Sequence, residues 1–406
     1  MLIKLDLKTT AFWSFFFLCA SSLVYVYSQI AGAAYLSQVL LPYQSLSRPL
    51  SVIIALLFLI VTVRSLAIKN IFNYLFHLPT VQFYFILFLI ARTIVFTSGL
   101  DSFILSIVSL LISLSILLIC IRIRELPPDD YRRLKNNIVL MFCSSVIIFT
   151  LLVYLFSSEY AISWRDRYFF FFAHPNQAAL TLSGCICFLV PILKENIFRV
   201  SSLVRYNSYL LQAFYVASLI SLSFYFLILT GSRTGVLCIL SAFLVYIVSL
   251  AKKPILGFLA ILFIISWFIL DGSFTILQAN NELRALDFSS SSGRIQIWAD
   301  FLKLFLQDPF FGAFSRVDRS ESAYLLALGG GGLFLFLPFV LYMFKAFVNP
   351  ILYSLTVFKT SSKIYRDHCS SLLMFSVLVL LANFFEGAYL LERFTVNFSF
   401  ILLSFL

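Results

Sequence analysis

The chain consists largely of apolar runs that are each about as long as a membrane-spanning helix. About 20 apolar residues cross a bilayer as an α-helix. A soluble domain has about 25% charged residues, whereas this chain has 12%, and a transmembrane β-barrel would show alternating segments of about ten residues instead. We therefore predict an all-α polytopic membrane protein, in which residues 1–406 form a single integral membrane domain. The twelve candidate spans lie near 11–30, 50–68, 81–98, 103–121, 138–157, 177–193, 209–229, 234–250, 255–271, 323–345, 369–390 and 394–406.

The distribution of basic residues predicts which connections face the cytoplasm, because Lys and Arg collect in cytoplasmic loops. If alternate connections fall on opposite sides, 18 of the 29 basic residues lie on the side of the N-terminus, together with the segment RIRELPPDDYRRLK (122–135). We therefore expect both termini in the cytoplasm and the longest connection, 272–322, outside. The net charge of +11 then reflects anchoring to anionic lipid and does not indicate a nucleic-acid partner.

The seven cysteines lie inside or at the edge of apolar runs, without histidines near them in a ligand-like spacing. Cys185 and Cys187 are two residues apart, so on a helix their side chains point to different faces. The sequence predicts neither a metal site nor a disulfide framework.

The external connection 272–322 contains the segment SSSSGRIQIWADFLKLFLQDPFFG (289–312). Ser291 or Ser292 can cap the start of a helix, and Pro309 follows its end. This pattern predicts an amphipathic helix in the membrane interface; a surface helix that only covers the bundle is the alternative. Helical spacing groups polar residues Gln296, Asp300, Lys303 and Gln307 opposite the apolar residues Ile295, Trp298, Phe301, Leu302, Phe305 and Leu306.

Several external arginines are candidates for binding an anion. Arg294 lies in the first turn of the predicted helix, where the dipole disfavours a cation but backbone N–H groups bind anions. Arg233 lies in the short turn LTGSRTG (229–235), which holds it at the membrane face. A guanidinium beside such N–H groups makes a phosphate site chemically sensible. The alternative is that these arginines extend to the interface or pair with acids.

A third polar group, SWRDRYFFFFAHPNQAAL (163–180), precedes the sixth span. It brings Arg165, Arg167, His174 and Asn176 to the external side. Arg165 and Arg167 bind substrate or pair with acids such as Asp166, and His174 is either a catalytic residue or a helix-entry residue before proline.

The glycine run in LALGGGGLFLF (326–336) lacks the lysine and the preceding strand of a phosphate loop. It predicts close helix packing or a break in the tenth span. Just before it, Glu321 is either a general base or a polar cap at the start of that span, and Tyr324 lies where the chain re-enters the membrane.

Three motifs, in this order, resemble those of the bacterial O-antigen polymerase and O-antigen ligase superfamily: HPNQAA, TGSRTG after a span, and SSGRIQIWADFLKLFLQDPFFG in the large external connection. The resemblance covers about residues 165–345, and residues 1–160 are similar only in hydropathy. It implies a fold of the GT-C type in the bacterial inner membrane, with the active site facing the periplasm. It also implies donor and acceptor glycans carried on undecaprenyl pyrophosphate, and chemistry without a metal, a nucleotide sugar or another cofactor.

The resemblance implies that Arg233 and Arg294 hold the lipid-linked pyrophosphate. Further candidates for substrate binding are Arg165, Arg167, Asn176 and Tyr324, and the candidate catalytic residues are Glu321 and His174. Membrane lipids are expected partners, and a chain-length regulator is a further partner that the sequence leaves open.

One departure from the family pattern favours a polymerase. Ligases carry a histidine, often as His-Asn, in the large loop just before the following span. Here that region reads RVDRSESAYLLAL (316–328), and no histidine lies between residues 175 and 367. Glu321 followed closely by a tyrosine is more similar to the polymerases.

Two alternatives to a polymerase remain. A ligase would transfer the finished glycan to lipid A core. A transporter or flippase for the same lipid would show charged residues deep in several spans and related halves, whereas mid-span charge here is nearly confined to Arg92 and no internal repeat is found.

Overall fold

The computed structural model describes residues 7–30, 53, 79–95, 100–156, 167–170, 172, 175–201, 206–250, 299–312, 322–351, 363–385 and 401–405. Regular structure within these residues is helical. The helices are α1 (Leu7–Ile30), α2 (Thr80–Val95), α3 (Leu100–Ile123), α4 (Pro128–Phe156), α5 (Pro175–Ser201), α6 (Tyr206–Leu229), α7 (Arg233–Leu250), α8 (299–307), α9 (Ala323–Ile351) and α10 (Lys363–Phe385).

Nine of the twelve predicted spans overlap described helices, which confirms an all-α polytopic membrane protein. The predicted spans at 50–68, 255–271 and 394–406 lie largely outside the described residues. By length and composition, α4, α5, α6 and α9 could each cross a membrane, and shorter apolar stretches lie in α1, α2, α3, α7 and α10. The total of twelve spans and the GT-C type therefore stay predictions.

The chain divides into two compact units. The first comprises Met1–Ser232 with Ala388–Leu406, and the second comprises Arg233–Gly387. The prediction that residues 1–406 form a single integral membrane domain is untested by this division and stays a prediction.

In the first unit, α5 is the most enclosed of the long spans. It packs along α6 and also contacts α4, while α1 contacts α3 and α4. Most of its first half is small or aliphatic, and Ala178, Ala179, Ser183 and Cys187 are buried. Small side chains let helices approach closely in a membrane, so α5 can lie between neighbours rather than against lipid.

Charged residues gather at one end of the first unit. Lys8 pairs with Asp130 at 2.9 Å, and Arg132 pairs with Glu195 at 3.5 Å. The start of α1 and the end of α5 therefore each lie beside the start of α4. Pro128 and the acids after it suit the first turn of α4, because proline and negative charge are favoured at helix N-termini. Their predicted cytoplasmic location stays a prediction.

Large apolar side chains remain exposed along the outer faces of the helices. On α6, Leu211 and Phe214 are 72% and 73% exposed. Such a surface would be unusual for a soluble monomer and suits contact with lipid chains. By contrast, Arg92 is buried inside the first unit, as expected for a charged residue in a membrane span.

In the second unit, α10 packs along α7 and also contacts α9. The α9 helix is irregular, with π-helical segments at Leu326–Gly330 and Phe344–Val348. Gly332 has φ 57° and ψ −162°, which is not helical. The predicted break in the tenth span at the glycine run is therefore confirmed.

Candidate functional site

The turn between α6 and α7 consists of Thr230, Gly231 and Ser232. Thr230 and Ser232 are fully buried, and Gly231 has φ +57°. Only glycine adopts that left-handed conformation without steric cost. The Ser232 N–H donates to Thr230 Oγ1 at 3.2 Å, and the Thr230 hydroxyl donates to the Leu227 carbonyl at 2.7 Å. The short, constrained turn that the sequence predicts is confirmed.

Arg167 and Asn176 reach this turn from earlier in the chain. Arg167 Nε donates to the Thr230 carbonyl at 2.9 Å, and Arg167 Nη2 donates to Asn176 Oδ1 at 3.0 Å. The same Asn176 oxygen accepts the Ser232 hydroxyl at 2.9 Å. We call Arg167, Asn176, Thr230 and Ser232 the turn network. Two of the predicted substrate-binding residues thus contact the turn, within the first unit.

Aromatic rings fix the segment 167–170 against the end of α6. The Tyr168 N–H donates to the Leu229 carbonyl at 3.3 Å, and the Tyr168 ring stacks on Phe170 at 5.8 Å. Phe170 is buried, and its ring also contacts Phe226 at 5.2 Å. Its φ of 53° is unusual for a bulky residue. Such strain persists only where the surroundings hold the backbone firmly. The segment that begins with Arg167 is therefore well fixed.

Arg233 immediately follows the turn network in the chain. It is half-buried and is the first residue of α7, an 18-residue helix in the second unit. Serine is favoured at the position before a helix, which is where Ser232 lies. The predicted role of Arg233 in binding substrate stays a prediction.

The α8 helix covers residues 299–307, inside the segment for which the sequence predicts an amphipathic helix. Phe301 is buried, whereas Leu302 and Leu306 are 47% and 73% exposed. The polar side is exposed too, with Lys303 and Asp300 paired at 3.3 Å. On its apolar face, Phe301 therefore contacts protein, whereas Leu302 and Leu306 stay at the surface. Insertion of those residues into the membrane interface stays a prediction.

Glycines bring α8 and the turn after it into close contact with α9. A Cβ added to Gly329 would lie 2.7 Å from both Cδ1 and the carbonyl oxygen of Phe301. The turn after α8 also joins α9 by backbone hydrogen bonds, because the Leu333 N–H donates to the Pro309 carbonyl at 2.8 Å. One residue later, the Phe334 N–H donates to the Phe310 carbonyl at 3.0 Å. The predicted close packing at the glycine run is confirmed.

Tyr324 lies near the start of α9, half-buried, with its ring in edge contact with Phe339 at 5.3 Å. Its predicted contact with substrate stays a prediction. Four other predicted site residues lie outside the described part of the chain: Arg165, His174, Arg294 and Glu321. Within the described residues, no group of three His, Cys, Asp or Glu side chains could hold a metal ion.

Sequence reasoning assigned no role to Thr230 and Ser232. The available signal was the position of two hydroxyl residues on either side of a glycine between apolar spans. Ser and Thr side chains often hydrogen-bond to nearby backbone in turns. The bonds from Ser232 to Asn176 and from Arg167 to the Thr230 carbonyl, however, depend on helix packing.

The helices and their apolar spans define the class as an all-α polytopic membrane protein. A family model described as O-antigen ligase matches residues 217–314, about a quarter of the chain. No curated protein and no solved structure gives a significant match. The match includes the turn, Arg233 and α8, so this part of the chain is similar to the O-antigen ligase family, in agreement with the resemblance of its three motifs.

Proposed function

We propose that the protein polymerises a surface polysaccharide from oligosaccharide repeats carried on undecaprenyl pyrophosphate. A hydroxyl oxygen of one lipid-linked repeat forms a bond to the anomeric carbon of the glycan on a second carrier. The bond from that carbon to the pyrophosphate oxygen breaks, and its electron pair leaves with undecaprenyl pyrophosphate. The reaction takes place on the periplasmic side of the bacterial inner membrane, with both termini of the chain in the cytoplasm.

The placement of Arg233 is the observation that carries this proposal. A cation in the first turn of a helix is disfavoured by the dipole, unless it shares an anion with the backbone N–H groups there. Arg233 is the first residue of α7 and follows a turn fixed by buried hydrogen bonds. A diphosphate suits this position, because a guanidinium makes strong, directional hydrogen bonds to phosphate oxygens.

Arg294 supplies the second positive charge in the proposal. It lies five residues before the start of α8, and α8 is anchored to α9 through Phe301 and Gly329. Two arginines would neutralise the charge that develops on the leaving pyrophosphate. Electrostatic stabilisation of this kind is usually the largest catalytic contribution, so a protonating acid is not required.

The hydroxyl proton passes to a general base, for which Glu321 is the first candidate and His174 the second. Glu321 directly precedes Ser322, which is buried at the start of α9. A positioned base contributes roughly 10²–10⁴-fold to a rate. Replacing Glu321 with Gln should therefore reduce the rate within that range while leaving binding of the lipid-linked donor intact.

The test is elongation of a defined lipid-linked repeat by purified protein in detergent, followed on gels. Arg233→Ala and Arg294→Ala should each abolish polymer, and cells with these variants should accumulate single capped repeats. The control is Arg133→Ala, which removes the same charge from an exposed position near the start of α4. Full-length polymer from both arginine variants would show that the pyrophosphate assignment is wrong.

A ligase is the second candidate, because the matching family model is described as O-antigen ligase. A null strain with normal polymer on its lipid carrier but none on lipid A core would favour the ligase. Polymer formed by the purified protein would exclude both pure transport and a ligase that only moves finished glycan. A product that stays at one repeat would overturn the polymerase.

A further inference from the structure

The turn network contains one oxygen atom that receives hydrogen bonds from two directions. Asn176 Oδ1 accepts Arg167 Nη2 at 3.0 Å and the Ser232 hydroxyl at 2.9 Å. An amide oxygen has two lone pairs, so these donors match its acceptor capacity. Asn176 Oδ1 therefore holds the Arg167 side chain and the Ser232 side chain at one atom.

Arg167 joins the turn at a second position. Its Nε donates to the Thr230 carbonyl at 2.9 Å while its Nη2 remains on Asn176. Two directed bonds from a planar guanidinium define the orientation of the whole group. The side chain also lies against Gly231, where an added Cβ would be 3.5 Å from Arg167 Nε. Arg167 thus bonds directly to the backbone before the left-handed glycine and, through Asn176, to the Ser232 side chain after it.

Ser232 is held through both its backbone and its side chain. Its N–H donates to Thr230 Oγ1 at 3.2 Å, and its hydroxyl donates to Asn176. It is fully buried. Because Arg233 is the next residue, a movement of Ser232 is passed to Arg233 through the peptide bond that joins them.

We propose that Arg167, Asn176 and Ser232 are positioning residues that fix Arg233 for the pyrophosphate, and that their role is not direct binding of the substrate. This inference rests on the proposed function of Arg233. It assigns a role to Ser232 and replaces substrate contact with positioning for Arg167 and Asn176. A displacement of about 1 Å in a group that positions the substrate can cost roughly 10²-fold in rate. A turn that keeps Arg233 in place would therefore affect the reaction rate directly.

A double-mutant cycle on donor binding tests the proposal. Binding of undecaprenyl pyrophosphate to purified protein is measured for Ser232→Ala, Arg233→Lys and the double variant. We expect Ser232→Ala to weaken binding roughly tenfold in the wild-type background and less than about twofold beside Arg233→Lys, because residues that act through one another are not additive. Equal effects in both backgrounds would overturn the inference.

Two further serine variants separate positioning from a general loss of structure. Ser232→Thr retains the hydroxyl and should restore binding. Ser218→Ala is the matched control, because Ser218 is half-buried on α6 and its hydroxyl donates within the helix, to the carbonyl of Phe214 four residues earlier, at 3.0 Å. It should bind like wild type. Loss of binding in Ser218→Ala equal to that in Ser232→Ala would also overturn the inference.

Arg167 provides a second test that does not depend on the serine variants. Arg167→Lys keeps the positive charge but cannot make two bonds from a planar fork. If Arg167 positions the turn, Arg167→Lys and Arg167→Ala should lose binding to a similar extent. If Arg167→Lys binds like wild type while Arg167→Ala does not, Arg167 holds the pyrophosphate by charge and the inference is wrong.

Failure of the inference and failure of the proposed function give different results. If Arg233→Ala binds undecaprenyl pyrophosphate as tightly as wild type, the proposed role of Arg233 is wrong. If Arg233→Ala loses binding but the Ser232 effect is independent of Arg233, the proposed function stands and only the positioning role is rejected.

Discussion

Replacing Gly329 with alanine tests whether α8 is anchored on α9 as described. The added Cβ would lie 2.7 Å from Phe301 Cδ1 and 2.7 Å from the Phe301 carbonyl oxygen. One of these atoms belongs to the backbone of α8, so rotation of the Phe301 ring alone cannot relieve the contact. Phe301 is only 4% exposed, which leaves it little room to move.

The expected sign of the Gly329→Ala effect is opposite to that of an ordinary helical substitution. Glycine to alanine in an unhindered helix stabilises a protein by about 0.5–1 kcal/mol. Overpacking of a filled site costs about 1–3 kcal/mol. We therefore expect the free energy of unfolding to fall by up to about 2.5 kcal/mol, which is the largest difference between these two contributions.

Alanine variants at two other glycines distinguish destabilisation by steric conflict from destabilisation by backbone strain. Gly231→Ala meets only ordinary contacts, at 3.5–3.8 Å from Arg167, but requires φ +57°, which costs about 1–2 kcal/mol. Gly332→Ala combines φ +57° with a Cβ 2.5 Å from the Phe310 backbone carbon, so it should be the most destabilising. Thermal unfolding in detergent measures all three variants. A melting temperature for Gly329→Ala above that of wild type would refute the contact between α8 and α9.

Three further predictions concern residues of the site and of α8. Asn176→Ala leaves two donors without their acceptor, so the free energy of unfolding should fall by about 1–3 kcal/mol; an unchanged melting temperature would contradict the turn network. Leu306 is 73% exposed, so Leu306→Lys should change the free energy of unfolding in detergent by less than about 0.5 kcal/mol. The same variant should be less active than wild type in liposomes, and activity equal to wild type in both detergent and liposomes would argue against an interfacial α8. Tyr324→Phe keeps the ring contact with Phe339, so melting should be unchanged while substrate affinity falls; unchanged affinity would remove Tyr324 from the site.

Periodicity and local chemistry predicted the features that depend on neighbouring residues. The helix over 299–307, the short turn before Arg233 and the break at Gly332 follow from apolar spacing, turn residues and glycine. The prediction for α8 was incomplete, because spacing alone grouped Phe301 with Leu302 and Leu306. Among the described residues of α8, 299–307, Phe301 is the buried one, since the small Gly329 on α9 admits its ring.

The contacts of Arg167 and Asn176 could not be predicted from their positions in the chain. Arg167 bonds to Thr230 across 63 residues, and Asn176 bonds to Ser232 across 56. Nothing in the local sequence distinguishes an arginine that binds substrate from one that binds a backbone carbonyl. That distinction depends on which acceptors helix packing brings within about 3 Å.

The amino-acid sequence by itself determined that this protein is a helical membrane protein. Apolar runs of about 20 residues can satisfy their backbone polar groups in lipid only as helices, and this constraint acts on each segment independently. The tertiary structure alone decided which polar groups meet at the turn after α6. Hydrogen bonds at the turn network join residues from separate segments, and their partners are set by the packing of α5 against α6.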